Sequence, residues 1–466
     1  SDADSDADSD ADTDSDTDTD ADSDTDTSDT GSAGYGPPTS LTTNCQPTTN
    51  PLRYTCAVTV DPPQPVQVKF WRRDGLGPTR IHTSDAVAAN HDVPVYFMAP
   101  DKAYDVEITA VEHPTVIPQT GSVHTGTPPT SVGSWLTVTG TSTMGLIGTE
   151  APCTTDAVAT IYDTETGDLV WYHDLDPQGE LGMLYMVRYT DRHTIIGNTN
   201  GHIVEVDLMG NDLTRFGVNY PGCCNLNHDV HEKNGIFVSN YQDAQGGGLT
   251  LDAVAFLDQS GNEIYVWHPE DHFSIPGSAS GDYLHCNSDY LDADGNLLQS
   301  WLSRDSVAKI DTHNPQSPDF GEKIWVMSGT GRSTGMGNDI TIDWSAIGGA
   351  DSFGGQHSFH QRYDGRYMLL DNDHGRALVI DVDDATMTAT VDAAYATREP
   401  SCGAQGTAMD THSGNAVVAC LSRFVREYDQ ATGNQIWEAE ANCRNNGGGG
   451  WSPRQGVRWY SLDDWN

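Results

Sequence analysis

Three histidines stand ahead of closely similar turns. His228 precedes Asn234–Gly235 and the apolar run Ile236–Phe237–Val238. His285 precedes Asp294–Gly295 and Asn296–Leu297–Leu298, and His357 precedes Asp364–Gly365 and Tyr367–Met368–Leu369–Leu370. The His-to-Gly spacings are seven, ten and eight. Imidazole has a reference pKa of about 6.5, so both protonation states are available near neutrality. One such ring can attack as a nucleophile while another moves a proton. Arg304 follows the strand-like Leu297–Trp301 in the segment that carries His285. Its guanidinium has paired donors that suit a tetrahedral oxyanion. A lone histidine or a rim arginine has ordinary structural uses, but three histidines at matching stations point to one pocket. His231 and His360, three residues beyond two of them, are lesser candidates because the turn follows too closely. A second chemistry is open to the same residues. Three histidines with Cys223, Cys224 and Cys286 nearby could hold zinc or copper.

Such a pocket needs elements that repeat. From residue 133 onward a short apolar strand ending in Asp recurs, followed by a Gly- or Asn-containing turn. The instances end at Asp163, Asp207, Asp258, Asp311, Asp381 and Asp429, at intervals of 44 to 70 residues. Asp163, Gly167 and Trp171 repeat at the same offsets as Asp429, Gly433 and Trp437. A four-stranded propeller blade needs about 40–50 residues. The expected fold is therefore all-β, with a six-bladed β-propeller over 133–466. Blades stacked about an axis bury sheet faces that one blade alone would expose, and they leave a central channel. A β-sandwich with coincidental Asp-Gly turns is the plainer alternative.

Residues 38–127 read as a small fibronectin type III-like β-sandwich, with strands expected over Tyr54–Val60, Val66–Trp71, Val93–Met98 and Tyr104–Val111. Residues 1–36 alternate Asp with Ser, Ala or Thr, which predicts a disordered, extended spacer rather than a calcium site. The net charge is −45, of which 14 Asp in the first thirty residues account for 14. A surface this acidic repels nucleic acid and anionic lipid, so no nucleic-acid partner is expected. No run of about 20 apolar residues is present, so no membrane insertion is expected. In so anionic a chain the imidazoles should titrate upward unless burial opposes it. Cys45 with Cys56 and Cys402 with Cys420 are spaced for loop-closing disulfides, which implies an oxidising compartment. The other five of the nine cysteines have no evident pairing. Asp-rich spacers of this kind often follow a lipid-anchored cysteine in bacterial envelope proteins, so an anchor upstream of Ser1 is possible. The expected location is extracytoplasmic: bacterial periplasm, outer-membrane-anchored cell surface, or secreted.

His228–Asp229 ahead of an Asn-Gly turn, His285–Cys286–Asn287–Ser288 with Ser303–Arg304, and Gln356–His357 with Leu370–Asp371–Asn372 together resemble the motifs of the PAPS-independent arylsulfotransferases of bacterial envelopes. The resemblance covers roughly 133–466, and a small β-sandwich ahead of the propeller is in keeping with it. Ser358 stands where that family commonly has an acidic residue, and Leu370 where it commonly has Phe. The resemblance implies transfer of a sulfuryl group from an aryl sulfate to a phenolic acceptor, with His357 the histidine that becomes sulfated. Arg304, with His228 or His285 protonated, would balance charge on the sulfuryl oxygens, and one of these two histidines would protonate the departing phenolate. It implies no nucleotide donor, no cofactor and no metal. Two other readings stay open: a quinoprotein dehydrogenase, from the Asp-x-x-Thr-Gly-x-x-x-Trp turns and adjacent Cys223–Cys224, and a non-catalytic surface-binding propeller.

Overall fold

A computed structural model of the chain describes residues 34–130, 132–154, 156–177, 184–199, 202–217, 226–330, 336–349, 351–420, 424–443 and 458–465. The Asp-rich spacer up to residue 33 and Cys223–Cys224 lie outside the described residues. The described chain is nearly all-β.

Ahead of residue 127 two sheets face each other. One joins Ser40–Pro47, Tyr54–Asp61 and Asn90–Val95; the other joins Arg80–Ser84, Val66–Arg72, Ala103–Ala110 and Gln119–His124. Tyr54–Asp61 and Val66–Arg72 bury every second residue, as the two-residue period of a strand dictates. Val58, Val68, Phe70, Val93 and Ile108 meet in their shared core. The strand expected to run to Met98 ends at Val95 instead. Phe97 takes a φ of 62°, which leaves the extended region, and its ring joins a neighbouring core with Leu146 and Ile161. Ser40–Pro47, Arg80–Ser84 and Gln119–His124 escaped the sequence reading because they are edge strands with mostly polar, solvent-facing residues. Cys45 and Cys56 sit opposite each other across two strands and are disulfide-bonded. Arg80 and Arg72 tie this pair of sheets to the strand Val158–Asp163 and the turn after it, pairing with Asp163 at 3.1 Å and Asp168 at 2.6 Å.

After residue 133 the described strands form six sheets. Sheet I holds Leu146–Glu150, Val158–Asp163 and Leu169–Asp174, with Trp459–Ser461 added from the far end of the chain. Sheet II holds Leu184–Tyr189, Ile195–Thr199, His202–Val206 and Asp212–Gly217. Sheet III is built on Leu226–Lys233, Ile236–Gly246, Leu249–Leu257 and Glu263–Trp267, and sheet IV on Cys286–Leu291, Leu297–Trp301, Ser306–Ile310 and Lys323–Ser328. Sheet V has His357–Gln361, Tyr367–Asp371, Arg376–Asp383 and Thr388–Ala396, with Thr341–Asp343 alongside. Sheet VI has Thr407–Asp410, Ala416–Ala419, Phe424–Tyr428 and Gln435–Cys443, and its outermost strand is Ser134–Gly140.

Hydrophobic side chains pack each sheet on the next. Ile161 meets Val204 between I and II, Ile203 meets Phe237 between II and III, and Val254 meets Trp301 between III and IV. Trp325 meets Phe359 between IV and V, and Leu370 meets Val418 between V and VI. Trp437 and Ala439 of VI then pack with Ile147 and Trp459 of I, so the circuit returns to its start. Buried amides add polar links along part of it. Asn198 donates to the Asp229 carbonyl (3.3 Å), Asn240 to that of Cys286 (2.9 Å) and Asn287 to that of Gln356 (2.8 Å). Each link runs from one sheet to the histidine-bearing segment of the next, which fixes those segments relative to one another.

Candidate active site

His228, His285 and His357 all lie where the first strand of a sheet begins, in sheets III, IV and V. His228 has a φ of 48° and His285 a φ of 50°. A non-glycine residue in this left-handed region costs about 1–2 kcal/mol, and such strain gathers at functional sites. In sheet V the left-handed residue is Ser358, at 55°, one place after His357. The strand pairing skips a different number of residues in each sheet at this point, from Asn227 to His231, Cys286 to Ser288 and His357 to His360. The three histidines therefore do not occupy one identical station along their strands.

The rings of His228 and His285 are 5.0 Å apart, tilted by 43°. His285 Nδ1 lies 2.7 Å from Asp282 Oδ2, and this hydrogen bond holds its pKa above the ordinary value. His228 goes the other way: burial lowers it to about 4, helped by the charges of His285 and Arg458. His357 is buried, and burial with the Arg458 charge lowers it to about 3. Only one of the three imidazoles follows the upward titration expected of an acidic chain, because desolvation outweighs the distant carboxylates at the other two.

The surroundings of His357 fix its tautomer. Nδ1 is 2.9 Å from the Gly355 carbonyl and 3.1 Å from Asn372 Oδ1. Asn372 donates its amide to the Gln405 carbonyl at 2.8 Å, so its oxygen faces the ring. With two acceptors at Nδ1 the proton sits there and Nε2 keeps its lone pair. The Gln405 backbone N–H reaches Nε2 at 3.2 Å. The loop carrying Gln405 is braced by the Cys402–Cys420 disulfide and by the Cys402 N–H bond to the Asn372 carbonyl.

Arg304 ends the single turn Leu302–Arg304 and stacks its guanidinium 4.2 Å over the Tyr283 ring. The turn is pinned on both sides. Leu302 and Ser303 donate backbone N–H bonds to the carbonyls of His285 and Leu284, and Asp305 accepts from the Gly355 N–H at 3.1 Å. Arg304 thus sits between the segments that carry His285 and His357. His231 and His360 have other partners. They flank the Tyr290 ring at 4.0 and 5.6 Å, and His360 pairs with Asp410.

The sequence reading missed Arg458. It is buried, lies 3.5 Å from Asp229 and donates to the Asn287 carbonyl at 3.1 Å. Asp229 also takes Arg188 at 2.8 Å. Nothing in the sequence around Arg458 marks it, since only the pairing of Trp459–Ser461 with sheet I brings it inward. Asp282 was missed although it stands three residues before His285. Cys286 is a free, buried thiol that contacts Asp289. Among the described residues, the groupings of His and carboxylate ligands close enough to share an ion are Asp191–His412–Asp464 and Asp243–His268–Glu270, and neither includes the three histidines.

The arylsulfotransferase (ASST) family model matches residues 136–392, more than half of the chain. The chain belongs to the arylsulfotransferase family. The matched stretch contains His228, His285, Arg304 and His357, so all four candidates lie within the arylsulfotransferase region, whereas Arg458 lies beyond it. Membership carries a general expectation of transferase activity on small aryl sulfates and phenols. No curated protein matches the sequence. Similar solved structures include a Bacteroides caccae protein of unknown function, at 9% identity over 68% of this chain and 98% of the other, with a TM-score of 0.43. Virginiamycin B lyase from Staphylococcus aureus is another, at 8% identity over 67% and 89%, with a TM-score of 0.36.

Proposed function

We propose that this arylsulfotransferase moves a sulfuryl group from an aryl sulfate to a phenol through a sulfohistidine at His357, without a nucleotide donor. On this reading sheets I–VI are the six blades of a propeller, and the preceding pair of sheets is its fibronectin type III-like companion. The observation that carries the proposal is the state of His357. Its proton is held at Nδ1 by Gly355 and Asn372, and its low pKa keeps the ring neutral. Nε2 is then a lone pair able to attack sulfur, with the weak Gln405 contact giving way.

The Nε2–S bond forms as the bond from sulfur to the phenolic oxygen breaks, and the electron pair leaves with that oxygen. Arg304, between the His285 and His357 segments, supplies fixed positive charge for the sulfuryl oxygens. A phenolic acceptor then takes the group from the sulfohistidine, and the enzyme returns to its starting state. The three disulfides of the described residues support an oxidising, extracytoplasmic setting. Among the described residues no helix is long and apolar enough to cross a membrane.

Incubation with p-nitrophenyl sulfate should add the mass of one sulfuryl group, and peptide mapping should place it on His357. His357→Ala should abolish both the adduct and transfer to phenol, and a wild-type rate in that variant would refute the assignment. Arg304→Ala should lower kcat/KM by about 10²-fold or more, the scale seen on removing one preorganised charge partner.

A further inference from the structure

Two histidines could protonate the departing phenolate, His228, whose charge is felt at His357, and His285, whose ring lies 5.0 Å from that of His228, and their surroundings differ. His285 Nδ1 faces Asp282 Oδ2 at 2.7 Å, and the His285 backbone N–H donates to Asp282 Oδ1 at 3.2 Å. Asp282 is itself placed by sheet III. Gly281–Asp282 pairs alongside Leu249–Thr250 at the outer end of a long hairpin, and Gln242 from the opposite strand of that hairpin donates to Asp282 Oδ2 at 3.1 Å. The carboxylate is thus fixed by backbone pairing and one amide, and both of its oxygens are turned to His285. The titratable groups facing His285 are Asp282, the buried Asp252 and His228. Among the described residues His228 makes no such hydrogen bond to a carboxylate; burial and the positive charges of His285 and Arg458 lower its pKa, and the charges of Asp282 and Asp229 oppose them only in part.

We infer that His285 is the acid that protonates the departing phenolate and that Asp282 is its positioning residue, holding the Nδ1 proton so that Nε2–H is the one delivered. The inference rests on the sulfuryl-transfer reading above. As the S–O bond breaks, the electron pair goes to the phenolic oxygen and the His285 Nε2 proton follows it. His285 is left neutral, with Nδ1–H still on Asp282. In the second half-reaction the same Nε2 takes the proton of the acceptor phenol, which restores the imidazolium. His228 stays neutral throughout and acts as a hydrogen-bonding group. The raised pKa of His285 and the lowered pKa of His228 agree with this division.

The test is Asp282→Asn, assayed with two donors on either side of neutral pH. Phenyl sulfate has a poor leaving group and needs the proton; p-nitrophenyl sulfate has a good one and scarcely does. The variant should lose roughly 10²-fold in kcat/KM with phenyl sulfate and less than about 5-fold with p-nitrophenyl sulfate, the scale of general-acid assistance. The basic limb of the pH profile should move to lower pH, because an imidazolium without its carboxylate gives up its proton sooner. Equal losses with both donors and an unmoved basic limb would overturn the inference, since a purely structural role acts on both donors alike. Imidazole NMR of the full chain gives a reading that needs no turnover. The His285 titration should shift downward in the variant, and an unshifted titration would refute the dyad. If the shift appears but the wild-type protein transfers nothing from either donor, the acid role falls together with the sulfuryl-transfer reading, and the carboxylate–imidazole pairing alone survives.

Discussion

Asp252 is fully buried, and one of its oxygens accepts the Cys286 N–H at 2.9 Å. Burial, opposed only in part by that bond, raises its pKa to about 8. A folded-state pKa above the unfolded one means that the native protein keeps a proton the unfolded chain releases. Its contribution to stability is therefore complete below the unfolded value of about 4 and is lost as pH rises toward 8. Asn keeps the acceptor oxygen and has no proton to lose. Asp252→Asn should gain on the wild type by up to about 1.4 kcal/mol per pH unit over that interval. Paired thermal melts at pH 5, 6, 7 and 8 should show the two Tm curves diverging with rising pH, and parallel curves would contradict the assignment. At this scale the sequence is readable only where chemistry is local. His228, His285, His357 and Arg304 declare themselves through turns and neighbours, and Asp371–Asn372 through their motif. Arg458 is 101 residues from His357 along the chain, and its approach depends on strand pairing that leaves no local trace.

Among the elements, Ser134–Gly140 is set in place by two glycines. Gly140 has a φ of 83°, and a Cβ there would lie 2.1 Å from the Ile436 carbonyl oxygen. Gly167 has a φ of 72°, and its Cβ would lie 2.1 Å from the Leu136 carbonyl oxygen. Gly167 also gives its carbonyl to the Leu136 N–H at 2.7 Å. Gly167→Ala must therefore push this strand off sheet I, and it should cost at least about 2 kcal/mol by combining a left-handed backbone with a clash. Chemical denaturation would measure it, and an unchanged midpoint would show that the strand is not held there. The Asp-ended repeats were legible because each needs its own chemistry. Asp207 and Asp258, for example, accept the backbone N–H of Asn211 and Asn262 in their turns. Each of the six repeats is the third strand of its sheet, with Trp459–Ser461 counted as the first strand of sheet I. First strands were harder to see, since the unpaired residues between Asn227 and His231, Cys286 and Ser288, and His357 and His360 disturb the two-residue alternation.

For the whole molecule, the join between sheets VI and I is made three times over. Ser134–Gly140 pairs along Gln435–Cys443, Trp459–Ser461 pairs with Leu146–Glu150, and Cys153 is bonded to Cys443. The disulfide closes a loop of sequence separation 290, for which chain entropy sets an upper limit of about 6 kcal/mol. Cys443→Ser should lower Tm by several degrees and remove the sensitivity of the melt to reductant at this bond. Equal melting of variant and wild type would mean that the two strand pairings suffice. The same join bears on synthesis. Ribosomes deliver the N-terminal sheets first, yet sheet I stays one strand short, with the Ile147 and Trp171 neighbourhoods uncovered, until residue 461 has emerged. Arg458 arrives in that same stretch. The latch and the buried Arg458 are thus installed in one step, and a nascent or clipped polypeptide lacking that stretch has neither.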